Sequence, residues 1–178
     1  MKKRQLLCQK PREGPVIVLQ DYPNNGVMGY HFNSAWQVAG SQCPAGVWKR
    51  HTGVDYTAAL GAAVYAAEGG VVKHVCFDEG WGHNIVIEHT LPSNSKYTTV
   101  YWHADPLIAL NDTVTRGQMI ATIAEIDGGE HLHFGARMGA YSNTVSGVGA
   151  LPVEACDNYP AFPNGFIDPE NTIRVVFE

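Results

Sequence analysis

Two short histidine patterns and one carboxylate define the chemistry within reach of this sequence. His51-Thr-Gly-Val-Asp55 sets an imidazole four residues before a carboxylate, and His131-Leu-His133 sets two imidazoles two residues apart. On an extended segment, residues an even number apart project from the same side. Each pattern therefore turns its polar groups to one face, and Leu132 points to the opposite, buried side. Gly53, between the first pair, lets the backbone bend or approach a neighbour. A further histidine, His103, closes the run Thr98-Thr-Val-Tyr-Trp-His103. Two neutral imidazoles and a carboxylate are a ligand set for zinc, which in catalytic sites commonly keeps a fourth position for water. The residual positive charge polarises a carbonyl and brings the pKa of the bound water towards ~7. Histidines outside the ligand set can then move protons near neutrality, while hydrogen bonds behind the ligands fix their tautomers. Taken singly the signals are weak: H-x-x-x-D recurs by chance, and H-x-H also fits a strand edge with two exposed rings. Their combination, in this order and on strands, is far more specific.

The elements that must position these residues read as strands. Short β-branched and aromatic runs recur between turn signals at Val16–Leu19, Val64–Ala66, Gly70–Val75, Asn84–His89, Thr98–His103, Met119–Ile123, Leu132–Ala136 and Ile173–Phe177. Glu79-Gly-Trp-Gly82, Pro92-Ser-Asn-Ser95, Asn111-Asp112 and Asp127-Gly-Gly129 supply turns between them. Long helical periodicity is missing. The expectation is an all-β chain, an antiparallel sandwich or barrel with few short helices. Two stretches, 24–50 and 138–165, read as loops longer than a hairpin needs, and loops of that length are functional or disordered.

Composition narrows the classes. At 178 residues and 45% apolar the chain suits a single domain over 1–178 with a sizeable core. Its charged fraction of 16% is too low for a disordered chain. A net charge of −5 argues against nucleic acid as a partner, since phosphate binding needs a concentrated basic surface. No apolar run approaches the ~20 residues of a transmembrane helix. Met1-Lys-Lys-Arg4 resembles the basic start of a secretory signal, but the apolar stretch of ~7–15 residues that should follow is missing. The chain is therefore cytoplasmic or stripped of its signal. The four cysteines, Cys8, Cys43, Cys76 and Cys156, lack C-x-x-C spacing. They allow three complete pairings, and a bridge between Cys43 and Cys156 would join the two long loops.

At this point the residues carry a resemblance. His51-Thr-Gly-Val-Asp55-Tyr56, Gly61-Ala-Ala-Val64 through Gly69-Gly-Val-Val72, Gly80-Trp-Gly-His-Asn84 through His89, Tyr101-Trp-His103, Gly117-Gln-Met-Ile120 and His131-Leu-His-Phe134 resemble the LytM/lysostaphin-type zinc metallopeptidases. The likeness runs from about Val47 to Phe134, and Ile167-Asp-Pro169 resembles the family's end. It implies an open antiparallel β-sandwich with a groove crossing the metal. It implies zinc held by His51, Asp55 and His133, with His103 and His131 as catalytic residues that orient or deprotonate the attacking water and stabilise the oxyanion. It further implies peptide-bond cleavage in the cross-links or stem peptides of bacterial peptidoglycan, and a periplasmic or secreted location.

The departures from the family pattern concern the groove. The stretch 117–131 lacks the usual second glycine-rich turn, Gly135 stands where an acidic residue is usual, and 138–165 looks inserted. Substrate preference stays open, with a D-alanyl–diaminopimelate bond favoured over polyglycine. Two other readings stand beside the endopeptidase. One is a catalytically silent regulator that binds peptidoglycan or an amidase; the other is a different hydrolysis, such as removal of a terminal D-alanine. Of the remaining side chains, His31, His74 and His83 read as structural or solvated, and His89 as structural unless it lies near the groove. Trp48 and Trp81 fit a groove or a core equally, Trp102 reads as core, and Tyr30 or Tyr56 would suit an oxyanion donor.

Overall fold

Strict alternation along the long strands makes a sheet with two unlike faces. The computed structural model describes residues 31–36, 43, 46–78, 81–126, 129–142, 154–157 and 165–169. In chain order the strands are β1 (Ala35–Trp36), β2 (Lys49–His51), β3 (Gly53–Thr57), β4 (Ala63–Tyr65), β5 (Gly70–Asp78), β6 (Gly82–Thr90), β7 (Lys96–Pro106), β8 (Thr113–Val114), β9 (Met119–Ile123), β10 (His131–Met138), β11 (Glu154–Cys156) and β12 (Phe166–Ile167). Helix is essentially absent from the described residues. The large antiparallel sheet runs β12-β10-β7-β6-β5-β8; β3 pairs with β10, and β9 with both β7 and β4. This is the open antiparallel all-β architecture expected from the sequence.

One face of this sheet is the core. Ile85 and Ile87 of β6, Tyr101 of β7 and Leu132 and Phe134 of β10 are all buried there, packed with residues of β4, β5 and β9. The residues between them in sequence point to the other face, where Val86 and Val100 join Phe166 in a small second cluster. Phe32 and Tyr141 pack against that cluster.

The strands run longer than the sequence pattern marks them, because bulges let them continue past breaks in the alternation. In β5 the register shifts between Val72 and His74. Val72 therefore stays in the core while His74 moves to the opposite face. The stretches 24–50 and 138–165 are not wholly loop. Within them β1, the start of β2 and β11 form a separate three-stranded sheet. Strands this short leave no periodic signal, and they pair only with one another. Cys43 and Cys156 form a disulfide joining these stretches across a sequence separation of 113. The expected strands at 16–19 and 173–177 lie outside the described residues.

Candidate metal centre

Strand β10 lies between β3 and β7, and its register sets out the site. His133 is paired with Asp55 on one side and with Trp102 on the other. Directly opposed residues of antiparallel strands project from the same face, so Asp55, His133 and Trp102 form a row, and Asn84 of β6 extends it. His51 enters from the end of β2, held by pairing with β11 at Glu154.

The ligand-type atoms converge. His51 Nε2 lies 2.9 Å from His133 Nδ1, and Asp55 Oδ1 lies 3.1 Å from each. Ligands of a tetrahedral zinc at its usual bond lengths are separated by roughly 3.3 Å, so this triangle has the dimensions of such a set. The chemistry of the donors agrees. The carbonyl of His31 lies 3.1 Å from His51 Nδ1 and accepts its N–H, leaving a lone pair at Nε2 that faces a carboxylate oxygen. A cation between such acceptors removes their repulsion. Among the described residues this is the one cluster of histidine, cysteine and acidic groups suited to a metal.

Burial and charge act together here. Burial alone would raise the Asp55 pKa, but the close contacts with His133 and His51 outweigh it and hold the carboxyl well below the usual range. His133 is fully buried, and that desolvation pushes its imidazole down to about 4 despite the bond to Asp55. Its ring rests on the paired glycines Gly53 and Gly135. A Cβ on Gly53 would meet His133 Nε2 at 2.8 Å and the Phe134 carbonyl oxygen at 2.3 Å. On Gly135, the position where an acidic residue is usual, a Cβ would meet Val100 Cγ1 at 2.7 Å. The glycine in this chain is therefore matched to close packing under the histidine.

Two further imidazoles border the cluster. His103 and His131 have ring centroids 4.5 Å apart. Each donates Nδ1–H to a backbone carbonyl, His103 to Trp81 at 2.9 Å and His131 to Gly129 at 2.8 Å. Nε2 is then the nitrogen each ring has left to turn to the site, and that of His131 lies 3.7 Å from Asp55 Oδ2. Burial lowers the His103 pKa to about 4, partly offset by the bond to Trp81.

His103 does not end its strand, as the sequence reading had it. It is the extra residue of a bulge: Asn84 pairs with Trp102 and His83 with Ala104. Its φ of 65° is left-handed, rare for a residue with a side chain and a mark of strain at functional positions. Regular alternation would bury this ring with Tyr101 in the core. The bulge turns it to the face that carries His131, which is a use bulges often serve.

The other singled-out residues separate cleanly. His89 is buried in the core face, bonded to Gly69 O at 2.9 Å and Thr99 Oγ1 at 2.7 Å. His74 lies against Tyr141, and His83 against Phe77. Tyr56 packs on the main core, away from His51, Asp55 and His133, while Tyr30 is outside the described residues. Trp48 and Trp81 are exposed, and Trp81 leans on His103 with ring centroids 5.8 Å apart. Trp102 is a correction: it is half-buried on the face that carries His133 rather than in the core. Alternation from Tyr101 shows it only once the core face is known. Sequence reasoning also passed over Asn84, a buried polar residue in the same row.

Comparison with known proteins places this geometry among relatives. The model for Peptidase family M23 matches residues 49–145. Peptidoglycan DD-endopeptidase ShyC of Vibrio cholerae is 33% identical over 89 residues, covering 48% of this chain and 20% of that protein. A zinc containing peptidase of Vibrio cholerae superimposes with a TM-score of 0.50 and 32% identity, covering 62% of this chain and 33% of that one. The catalytic domain of lysostaphin from Staphylococcus simulans shares the fold with a TM-score of 0.56 at 19% identity, covering 84% and 92% of the two chains. This chain covers about a third or less of the length of the curated relatives it matches.

Proposed function

Because the chain belongs to peptidase family M23, whose pattern spans more than half of it, we propose that it is a zinc-dependent endopeptidase cutting peptide bonds in peptidoglycan cross-links or stem peptides. The observation that carries the reading is the closed triangle of His51 Nε2, Asp55 Oδ1 and His133 Nδ1, with separations of 2.9 to 3.1 Å. Zinc held there would polarise the scissile carbonyl and acidify a water. The protein's own part is positioning and proton transfer. His31, through its carbonyl, fixes the His51 tautomer. His131 Nε2 accepts a proton in front of Asp55 Oδ2, 3.7 Å away. His103, whose pKa burial lowers, presents an acceptor that orients water and, once protonated, a donor for the developing oxyanion.

The same reading locates the protein outside the cytoplasm, in the periplasm or secreted. Its peptidoglycan-acting relative and the Cys43–Cys156 disulfide support that, since such bonds persist in oxidising compartments. Among the described residues no helix is long and apolar enough to cross a membrane.

Digestion of purified walls of directly cross-linked and glycine-bridged types, read by mass spectrometry, tests the activity. Cross-linked muropeptides resolved to monomers, with the release lost on chelation and in His131→Ala, are expected. Zinc-loaded protein that leaves both wall types intact would overturn the endopeptidase reading and favour the silent regulator. Loss of only a terminal D-alanine would favour a carboxypeptidase.

A further inference from the structure

Beyond the ligands, the row on the site face continues into two polar groups that the protein leaves unused. Trp102 stands beside His133 and Asn84 beside Trp102, each in direct cross-strand register. Asn84 is 3% exposed, and neither its carbonyl oxygen nor its amide nitrogen has a hydrogen-bond partner among the described residues. The indole N–H of Trp102 is also buried and has no partner among the described residues. Buried polar groups without partners are rare in folded proteins and costly, and an apolar residue of similar shape at Asn84 would remove that cost. Alternation alone does not call for a carboxamide, since the next residue of β6 on this face is Val86.

We propose that Asn84 and Trp102 form a subsite that reads a backbone amide of the peptide substrate, next to the metal ligands. This rests on the endopeptidase reading and deepens it by assigning the substrate class. Two strand spacings separate Asn84 from His133, about 10 Å, which is the reach of roughly three extended residues. An asparagine carboxamide offers donor and acceptor together, the complement of one peptide unit, and the indole N–H adds a donor for a neighbouring carbonyl. On the leaving-group side, a residue that ends at the scissile bond reaches only about 3–4 Å past it, well short of Asn84, so the free carboxylate of a stem's last residue does not meet the subsite. The site therefore fits a chain that continues about three residues past the scissile bond, a cross-link rather than a stem ending in a free acid.

The test uses Asn84→Leu, with Trp102→Phe as a second variant that keeps a ring and removes the N–H. The probes are a D-alanyl–diaminopimelate cross-linked tetrapeptide dimer and a pentapeptide stem with a free carboxylate. Binding to chelator-treated protein is measured by calorimetry, melting by circular dichroism, and turnover after zinc is restored. The expected result is an unchanged or raised Tm together with dimer binding weakened about 5- to 20-fold. KM should rise by a similar factor while kcat changes less, and pentapeptide binding should hold. Unchanged dimer affinity in both variants would overturn the subsite, as would a loss confined to the pentapeptide. Dimer binding weakened in the variants, while zinc-loaded wild type cleaves nothing, would keep the subsite and refute the endopeptidase.

Discussion

Gly53→Ala is a single added methyl group that the structure does not accommodate. Gly53 has no left-handed φ, so the cost lies in space rather than conformation. The new Cβ would lie 2.3 Å from the Phe134 carbonyl oxygen and 2.8 Å from His133 Nε2, where ordinary contact begins near 3.4 Å. Relief requires β3 and β10 to part by about 1 Å, enough to break the ladder bonds beside the Gly53–Gly135 pair. Overpacking costs about 1–3 kcal/mol and each lost bond about 1 more. The lower unfolded-state entropy of alanine returns about 0.4–1 kcal/mol. The net is about 2–4 kcal/mol, a fall of roughly 5–15 °C in Tm for a chain of this size. His133 must also shift, and a ligand displaced in this way should weaken zinc binding by at least the 10–100-fold typical of lost ligand support. Melting of zinc-free protein reads the first effect, and zinc titration against a competing chelator reads the second. Gly46→Ala is the control, since Gly46 has a positive φ and nothing within 4 Å of its Cβ position; it should cost about 1 kcal/mol without touching zinc affinity. If Gly53→Ala melts within 0.5 kcal/mol of wild type and binds zinc within about twofold, then the glycine bed does not hold His133 and the argument fails.

Three other outcomes follow from the same structure. Because His103 sits at φ 65°, His103→Gly should be more stable than His103→Ala by about 1 kcal/mol in urea unfolding, the reverse of the usual order, with both inactive. Zinc-free protein should lose stability as pH falls from 6.5 to 4, because His103 and His133 are held near 4 by burial while the unfolded chain takes up protons at about 6.5. Two such groups give a slope of up to about 2.7 kcal/mol per pH unit, with Asp55 adding to the loss below about pH 4; a flat profile between 6.5 and 4.5 would contradict the burial of these rings. Reducing Cys43–Cys156 reopens a loop of 113 residues. By loop entropy this should cost up to about 4–5 kcal/mol and, since β11 holds β2 at His51, weaken zinc binding in the same titration.

Much of this protein could be read along the chain. Alternation in 84–89, 98–103 and 132–136 is a local property, and it marked the strands, the apolar side and the antiparallel all-β class. The spacing of His51, Asp55, His131 and His133 named the groups that the fold then brings together, because a period of two already places residues on one side of a strand. Pairing between distant segments was not legible. The bulge that turns His103 out of the core, the row from Asp55 through Trp102 to Asn84, and the glycine pair beneath His133 all depend on register across strands far apart in sequence. That register is chosen by the packing of whole faces against one another, and a one-residue slip would exchange the faces. The residues of the site thus belong to the sequence, while their convergence on one buried triangle belongs to the tertiary structure, since no local preference can bring Asp55 and His133, 78 positions apart, within 3.1 Å.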